Sequence, residues 1–260
     1  IYRNSTVYIN GREIARQSNG YMGFEADITD FLKPRNRIFI KVDNGRAGTS
    51  RWYTGSGIYR HVFLDIRSEK DPRDVWIITP EITQEQARVY ISGILTKPAA
   101  GTILITAPTG ETVSKTEFRG TLEAELTVEK PLLWDIDSPA LYTAVIEIDG
   151  AEFSYRFGIR RIEWIAGKGL LLNGRRVVCK GMNIHHDLGV CGTAAFDSLI
   201  VHRLKVLKEM GVNALRLSHN PHAPKVLQVC DELGILVFDE CFDKLRDQYV
   251  DDFEGTWQRA

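Results

Sequence analysis

Val177-Val178-Cys179-Lys180-Gly181-Met182 runs into Asn183-Ile184-His185-His186-Asp187, Asn213-Ala214-Leu215-Arg216-Leu217 into Ser218-His219-Asn220-Pro221-His222, and Ile235-Leu236-Val237-Phe238 into Asp239-Glu240. These are short apolar runs, each ending in polar residues, with helix-length segments between them. The alternation predicts βαβαβ and a parallel sheet. Asp197 is expected to cap the first helix. Ile200, Leu204 and Leu207 form its apolar face, and Gly211 is its stop. The second helix has Pro224 in its first turn, where the missing N–H costs nothing. Val226, Leu227, Cys230 and Leu233 are its apolar positions, and Gly234 ends it. Sheets of this kind carry their chemistry at the carboxyl ends of the strands. A dinucleotide fold needs glycines after the first strand, yet Gly181 is followed by Met, Asn, Ile, His and His. A (β/α)8 barrel fits better. It requires eight strands, and only three are legible before a charged, irregular tail, so the barrel is expected to be truncated.

Working outward, residues 1 to about 68 read as short strands with turn signals between them. Val7-Tyr8-Ile9 meets Asn10-Gly11, a hairpin signal. Phe24–Ile28, Ile38–Val42 and Tyr59–Ile66 alternate as strands do, which argues for a β-sandwich. The loop Ser50-Arg51-Trp52-Tyr53-Thr54-Gly55-Ser56-Gly57 sets aromatics beside glycines. Trp52 there has two readings: a platform for a sugar ring, or a plug in an interdomain seam. Residues 72–160 hold six or seven predicted strands and no helical period, as an immunoglobulin-like sandwich would. The predicted strands are 75–78, 87–91, 101–105, 122–128, 142–148 and 152–157, and Trp134 pins the connection Pro131–Pro139. Leu170–Arg176 reads as a hairpin turning at Asn173-Gly174.

The totals exclude several classes. With 33 basic and 34 acidic residues the formal net charge is −1, which gives no support for a nucleic acid or an anionic membrane as partner. No apolar run approaches the roughly 18 residues that span a bilayer. Cys179, Cys191, Cys230 and Cys241 lack paired spacing and are expected to be mostly buried thiols. The chain opens on Ile1 without an initiator Met, as expected of a processed chain or an excised piece.

The polar strand ends admit three readings. His185, His186, His219, His222 and Asp187 are metal-ligating residue types, which would suit a metallohydrolase barrel. Adjacent residues on an extended strand point to opposite faces, which keeps His185 and His186 from facing one ion together. Neutral His, Asn and Arg also donate and accept hydrogen bonds to sugar hydroxyls. Packing at the rim is the third reading. It is favoured for His186, His222 and Asp187 and disfavoured for His185 and His219.

At these motifs the chain resembles glycoside hydrolase family 2. The resemblance rests on Ser50-Arg51-Trp52-Tyr53 with Gly57-Ile58-Tyr59-Arg60, Phe157-Gly158-Ile159-Arg160, Lys180–Asp187, and Arg216-Leu217-Ser218-His219-Asn220-Pro221. The His-His-Asp variant is most similar to bacterial β-galactosidases. The resemblance implies a multidomain, mostly β chain: part of a sugar-binding jelly-roll β-sandwich (1–70), an immunoglobulin-like β-sandwich (71–160), and the first three strands of a (β/α)8 TIM barrel (161–260). It implies a retaining exo-β-glycosidase, most similar to β-galactosidase, with β-glucuronidase and β-mannosidase as alternatives. Its nucleophile and acid/base are glutamates on later strands, so no catalytic residue is assigned here and the fragment alone is expected to be inactive. Substrate-binding positions carried over are His185, His219, Asn183, Arg216 and Trp52. Asp239 and Glu240 match a structural acidic end. Lys244 and Arg246 stand where metal-dependent members carry Glu and His, so no metal is expected, and no cofactor is implied. The expected partner is a carbohydrate substrate. Homo-oligomerisation, and bacterial periplasm or cytoplasm as location, stay open. A stand-alone carbohydrate-binding protein is the non-enzymatic alternative.

Overall fold

The computed structural model describes residues 1–45 and 52–241. Two compact units emerge, one formed by residues 1–63, 180–230 and those from Leu236 on, the other by residues 64–179 and 231–235.

The first unit opens with β1 (Ser5–Ile9), β2 (Arg12–Gln17) and β3 (Ile38–Val42), an antiparallel sheet in the order β2-β1-β3. Asn10 and Gly11 turn the hairpin at φ 52° and 85°. That is the left-handed pair a two-residue turn needs. Two expected strands do not form. Residues 24–28 and 59–66 carry no ladder. Asp27 Oδ1 instead accepts from the Thr29 backbone N–H at 2.9 Å and starts a short 3-10 turn at Thr29–Phe31. Tyr59 and Arg60 spend their polar groups on loops: the Tyr59 carbonyl accepts from Ala195 N–H at 2.8 Å, and Tyr59 Oη donates to the Gly20 carbonyl at 2.8 Å. Alternation matches the burial of residues 24–28, but Val62, Phe63, Leu64 and Ile66 are all exposed: a strand also needs a partner edge.

The second unit is a seven-stranded sandwich. Its strands are β4 (Arg73–Ile82), β5 (Gln86–Ile94), β6 (Ala99–Thr106), β7 (Thr112–Gly120), β8 (Leu122–Glu129), β9 (Tyr142–Ile148) and β10 (Ala151–Phe157). One sheet runs β4-β5-β8 and the other β10-β9-β6-β7, both antiparallel. Alternate residues from each face close the core, with Val89, Ile91, Ile103, Ile105 and Ile146 all fully buried. Strand β7 escapes a sequence reading because it is an edge strand with Phe118 as its one buried residue. Trp134, 1% exposed and bridged to Pro139, pins the connection Pro131–Pro139 as its sequence context predicts. Its backbone N–H bonds the Ile159 carbonyl at 2.8 Å, and Arg160 lies 4.6 Å over its ring. A small antiparallel sheet follows, β11 (Ile162–Ile165), β12 (Gly169–Leu172) and β13 (Arg175–Arg176), turning at Asn173-Gly174.

The chain then returns to the first unit with β14 (Gly181–Ile184), α1 (Asp197–Glu209), β15 (Ala214–Leu217), α2 (Pro224–Leu233) and β16 (Leu236–Asp239). The three strands are parallel in sequence order, as the alternation predicts. Strand β14 starts four residues later than expected. Val177 belongs to the preceding sheet, where its N–H bonds the Leu170 carbonyl at 3.0 Å. Pairing begins at Gly181, where the strands come so close that a Cβ would lie 2.4 Å from the Ala214 carbonyl oxygen. One sheet face buries Ile184, Leu215 and Leu217, and the helices bury Ile200, Leu204, Leu207, Val226 and Val229. Each such aliphatic side chain contributes on the order of 1.5–3 kcal/mol. Asp197 is the first helical residue rather than the cap; its carboxylate bonds His61 at 2.8 Å and makes no cap bond. The thiols also depart from expectation: Cys230 is buried, but Cys179 and Cys241 are exposed because they fall outside the strands and helices.

Candidate functional site

The parallel register decides which side chains meet. Asn183 pairs with Arg216, and Arg216 with Phe238, so these three form one row across the sheet. Ile184, Leu217 and Asp239 form the next row, after which the chain leaves the sheet at His185, Ser218 and Glu240. Three strand ends therefore converge within one unit.

Two aromatic groups result, and adjacent histidines divide between them. On one side Trp52 stacks on His185 with ring centroids 5.8 Å apart and lies 4.9 Å from His219. His185 and His219 meet edge to face at 5.3 Å. Glu240 organises the rim of this group. One carboxylate oxygen accepts from Arg216 Nε, and the other accepts from His219 Nδ1 at 2.9 Å. The Arg216 guanidinium also lies 3.4 Å from His219 Nδ1. On the other side His186 and His222 stack at 3.9 Å, and Tyr21 packs on His186 at 4.9 Å. Arg60 ties this group together. It donates to the Tyr21 carbonyl at 2.8 Å and the Pro221 carbonyl at 2.6 Å, and reaches His186 Nδ1 at 3.4 Å.

Burial lowers histidines in both groups. Burial, and then the neighbouring imidazole, push His186 down to about 2. Burial pushes His222 down to about 4, against the opposing pull of its bond to the Ser218 carbonyl. His185 is also lowered, by burial first and His219 second. His185, His186 and His222 are therefore neutral at physiological pH, and a neutral ring offers one donor and one acceptor. With the indole face of Trp52 beside them, the first group presents an apolar plane edged by hydrogen-bonding groups. That suits a polyol ring, whose C–H face stacks while its hydroxyls bond at the rim. Among the described residues, no three His, Cys, Asp or Glu side chains group to hold a metal ion. The histidine pair 185–186 splits between the two faces, which works against the metallohydrolase reading.

The structure thus gathers Trp52, His185, His219 and Arg216 in contact and sets Asn183 beside Arg216. Tyr53, the other aromatic of the loop, is 88% exposed. Lys244 and Arg246, like Ser50 and Arg51, lie outside the described residues. Sequence reasoning missed Tyr21 as a member of the site. Its only signal was the Asn19-Gly20 turn just before it. Glu240 was legible as an acidic strand end, but its two partners were not.

Comparison with known proteins shows the family. Residues 61–160 match a family model described as glycosyl hydrolases family 2, and residues 164–245 one described as glycosyl hydrolases family 2, TIM barrel domain. Together the two matches cover more than half of the chain. The chain is 37% identical to the β-galactosidase BoGH2A of Bacteroides ovatus, over 95% of this chain and 32% of that protein. It is 35% identical to a putative β-glucuronidase of Formosa agariphila, over 99% of this chain and 27% of that protein. The crystal structure of a family 2 member from Bacteroides cellulosilyticus superposes with a TM-score of 0.92 at 36% identity, covering 100% of this chain and 38% of that one. The chain thus spans about a third of the length of these relatives.

Proposed function

Since the chain belongs to glycosyl hydrolases family 2, we propose that it supplies the sugar-positioning half of a retaining exo-β-glycosidase, a β-galactosidase. The observation that carries the reading is the Trp52–His185–His219 cluster at the strand ends. Trp52 stacks on the sugar's apolar face, and His185, His219 and Asn183 bond its hydroxyls. Glu240 neutralises Arg216 and holds His219, so this rim favours a neutral sugar over a uronic acid. Double displacement needs two carboxylates roughly 5–5.5 Å apart, one as nucleophile and one as acid/base. The reading places both on later barrel strands, past residue 260.

Turnover of nitrophenyl β-glycosides tests the reading. A polypeptide extended through the rest of the barrel is expected to release nitrophenol from the β-galactoside, and residues 1–260 alone are not. In the extended enzyme Trp52→Ala is expected to lower kcat/KM about tenfold or more, as loss of a stacking platform does. Turnover by residues 1–260 would refute the division of labour. Preference for the β-glucuronide would keep the family and move the substrate.

A further inference from the structure

The geometry points to Tyr21 as the positioning residue that sets the plane of Trp52 over His185 and His219. This rests on the reading of Trp52 as a sugar platform for its purpose, but not for its test.

The backbone around Tyr21 is clamped from several sides. Asn19 is 2% exposed. Its side-chain oxygen bends the chain by accepting from the backbone N–H groups of Tyr21 at 2.7 Å and Met22 at 3.1 Å. Gly20 lies beneath Tyr2, where a Cβ would come 2.2 Å from the ring, so only glycine permits the approach. The Gly20 carbonyl accepts from Tyr59 Oη, and the Tyr21 carbonyl accepts from Arg60. The ring is held too. Tyr2 meets it edge to face at 5.4 Å, and His186 packs on it at 4.9 Å.

All this fixes one atom, the Tyr21 hydroxyl oxygen, which accepts from Trp52 Nε1–H at 3.0 Å. A flat side chain has two torsions, and a bond at the indole nitrogen fixes the second. Without it the indole can rotate about Cβ–Cγ, and its face leaves the two histidines. Burial raises the Tyr21 hydroxyl well above its ordinary range, so the group that accepts from the indole is a neutral phenol. Tyr21 also reaches the second group, since Arg60 joins its carbonyl to Pro221, two residues past His219. One side chain from the amino-terminal segment therefore orients the wall of a site built on barrel strands.

Tyr21→Phe removes the hydroxyl and keeps the ring, and Tyr8→Phe, which removes a hydroxyl from β1 in the same unit, is the control. The measurement is solution NMR of residues 1–260, reading the Trp52 indole N–H proton and the ring-current shifts of His185 and His219. Trp52→Phe assigns the indole signal. Tyr21→Phe is expected to move the indole proton upfield and to collapse the ring-current shifts, while Tyr8→Phe leaves both in place. A loss of thermal stability alone, with both signals unchanged, overturns the inference. In the extended enzyme Tyr21→Phe is expected to raise KM roughly three- to tenfold, the scale of one hydrogen bond, with a smaller change in kcat. If the extended enzyme turns over no glycoside, the proposed function fails while the NMR result still decides the role of Tyr21.

Discussion

Two neighbouring residues, His185 and His186, show how far one position changes chemistry. His185 faces Trp52 and His219, whereas His186 is stacked on His222 beneath Tyr21. The opposite orientation was legible from strand geometry alone. Which histidine faces the indole was not, because that depends on Trp52, more than a hundred residues away in the chain. The buried pair also makes a pH prediction. Both rings sit far below the ordinary 6.5, His222 at about 4 and His186 at about 2. Between those values and 6.5 the unfolded chain binds protons that the folded chain refuses. Stability is therefore full above about 6.5 and falls as the pH drops through that window. Each ring contributes up to about 1.4 kcal/mol per pH unit. Urea midpoints from pH 8 to 4 are expected to fall below about 6.5, and His222→Gln, which removes one of the depressed rings, should make the fall shallower. A midpoint flat across this range would contradict the burial of the pair.

At the scale of elements, the parallel βαβαβ stretch was the most legible part of the chain. Its helices announce themselves by period and by Pro224, Gly211 and Gly234, with Gly211 and Gly234 at φ 89° and 69°. The edges were less legible. Strand β14 lost Val177–Lys180 to neighbouring structure, and residues 24–28 and 59–66 alternate without pairing. Propensity reads a single segment, and a strand is a property of two. Gly181 shows the same rule inside a strand. Its missing Cβ lets β14 approach the Ala214 carbonyl of β15, which the sequence around Gly181 does not disclose. Gly181→Ala is therefore expected to push the two strands apart and cost about 1–3 kcal/mol, the range for overpacking a close contact. Equilibrium urea unfolding measures it, and an unchanged midpoint would show that the pair can relax.

For the whole molecule, turn spacing and alternation led to a sandwich of six or seven strands; seven form, and β7 is the one they did not disclose. The gathering of residues 1–63 with the barrel strands did not follow from them, since nothing local in Trp52, Tyr21 or Arg60 marks a partner that far along the chain. Among the described residues, no helix is long and apolar enough to cross a membrane. One local device recurs across both units, the Asn-Gly pair at positions 10–11, 19–20, 44–45 and 173–174. In unfolded peptides this pair deamidates readily, because the glycine nitrogen reaches the asparagine side-chain carbon and closes a succinimide. Here the amide oxygens of Asn10, Asn19 and Asn173 accept backbone bonds from Arg37 at 3.0 Å, Tyr21 at 2.7 Å and Arg161 at 3.0 Å. Those bonds restrain the side-chain rotation that ring closure requires. The fold is thus also a chemical preservative. Intact-mass spectra should show slow deamidation of these three residues in stored folded protein and rapid deamidation in urea, and equal rates would mean that the turns protect nothing.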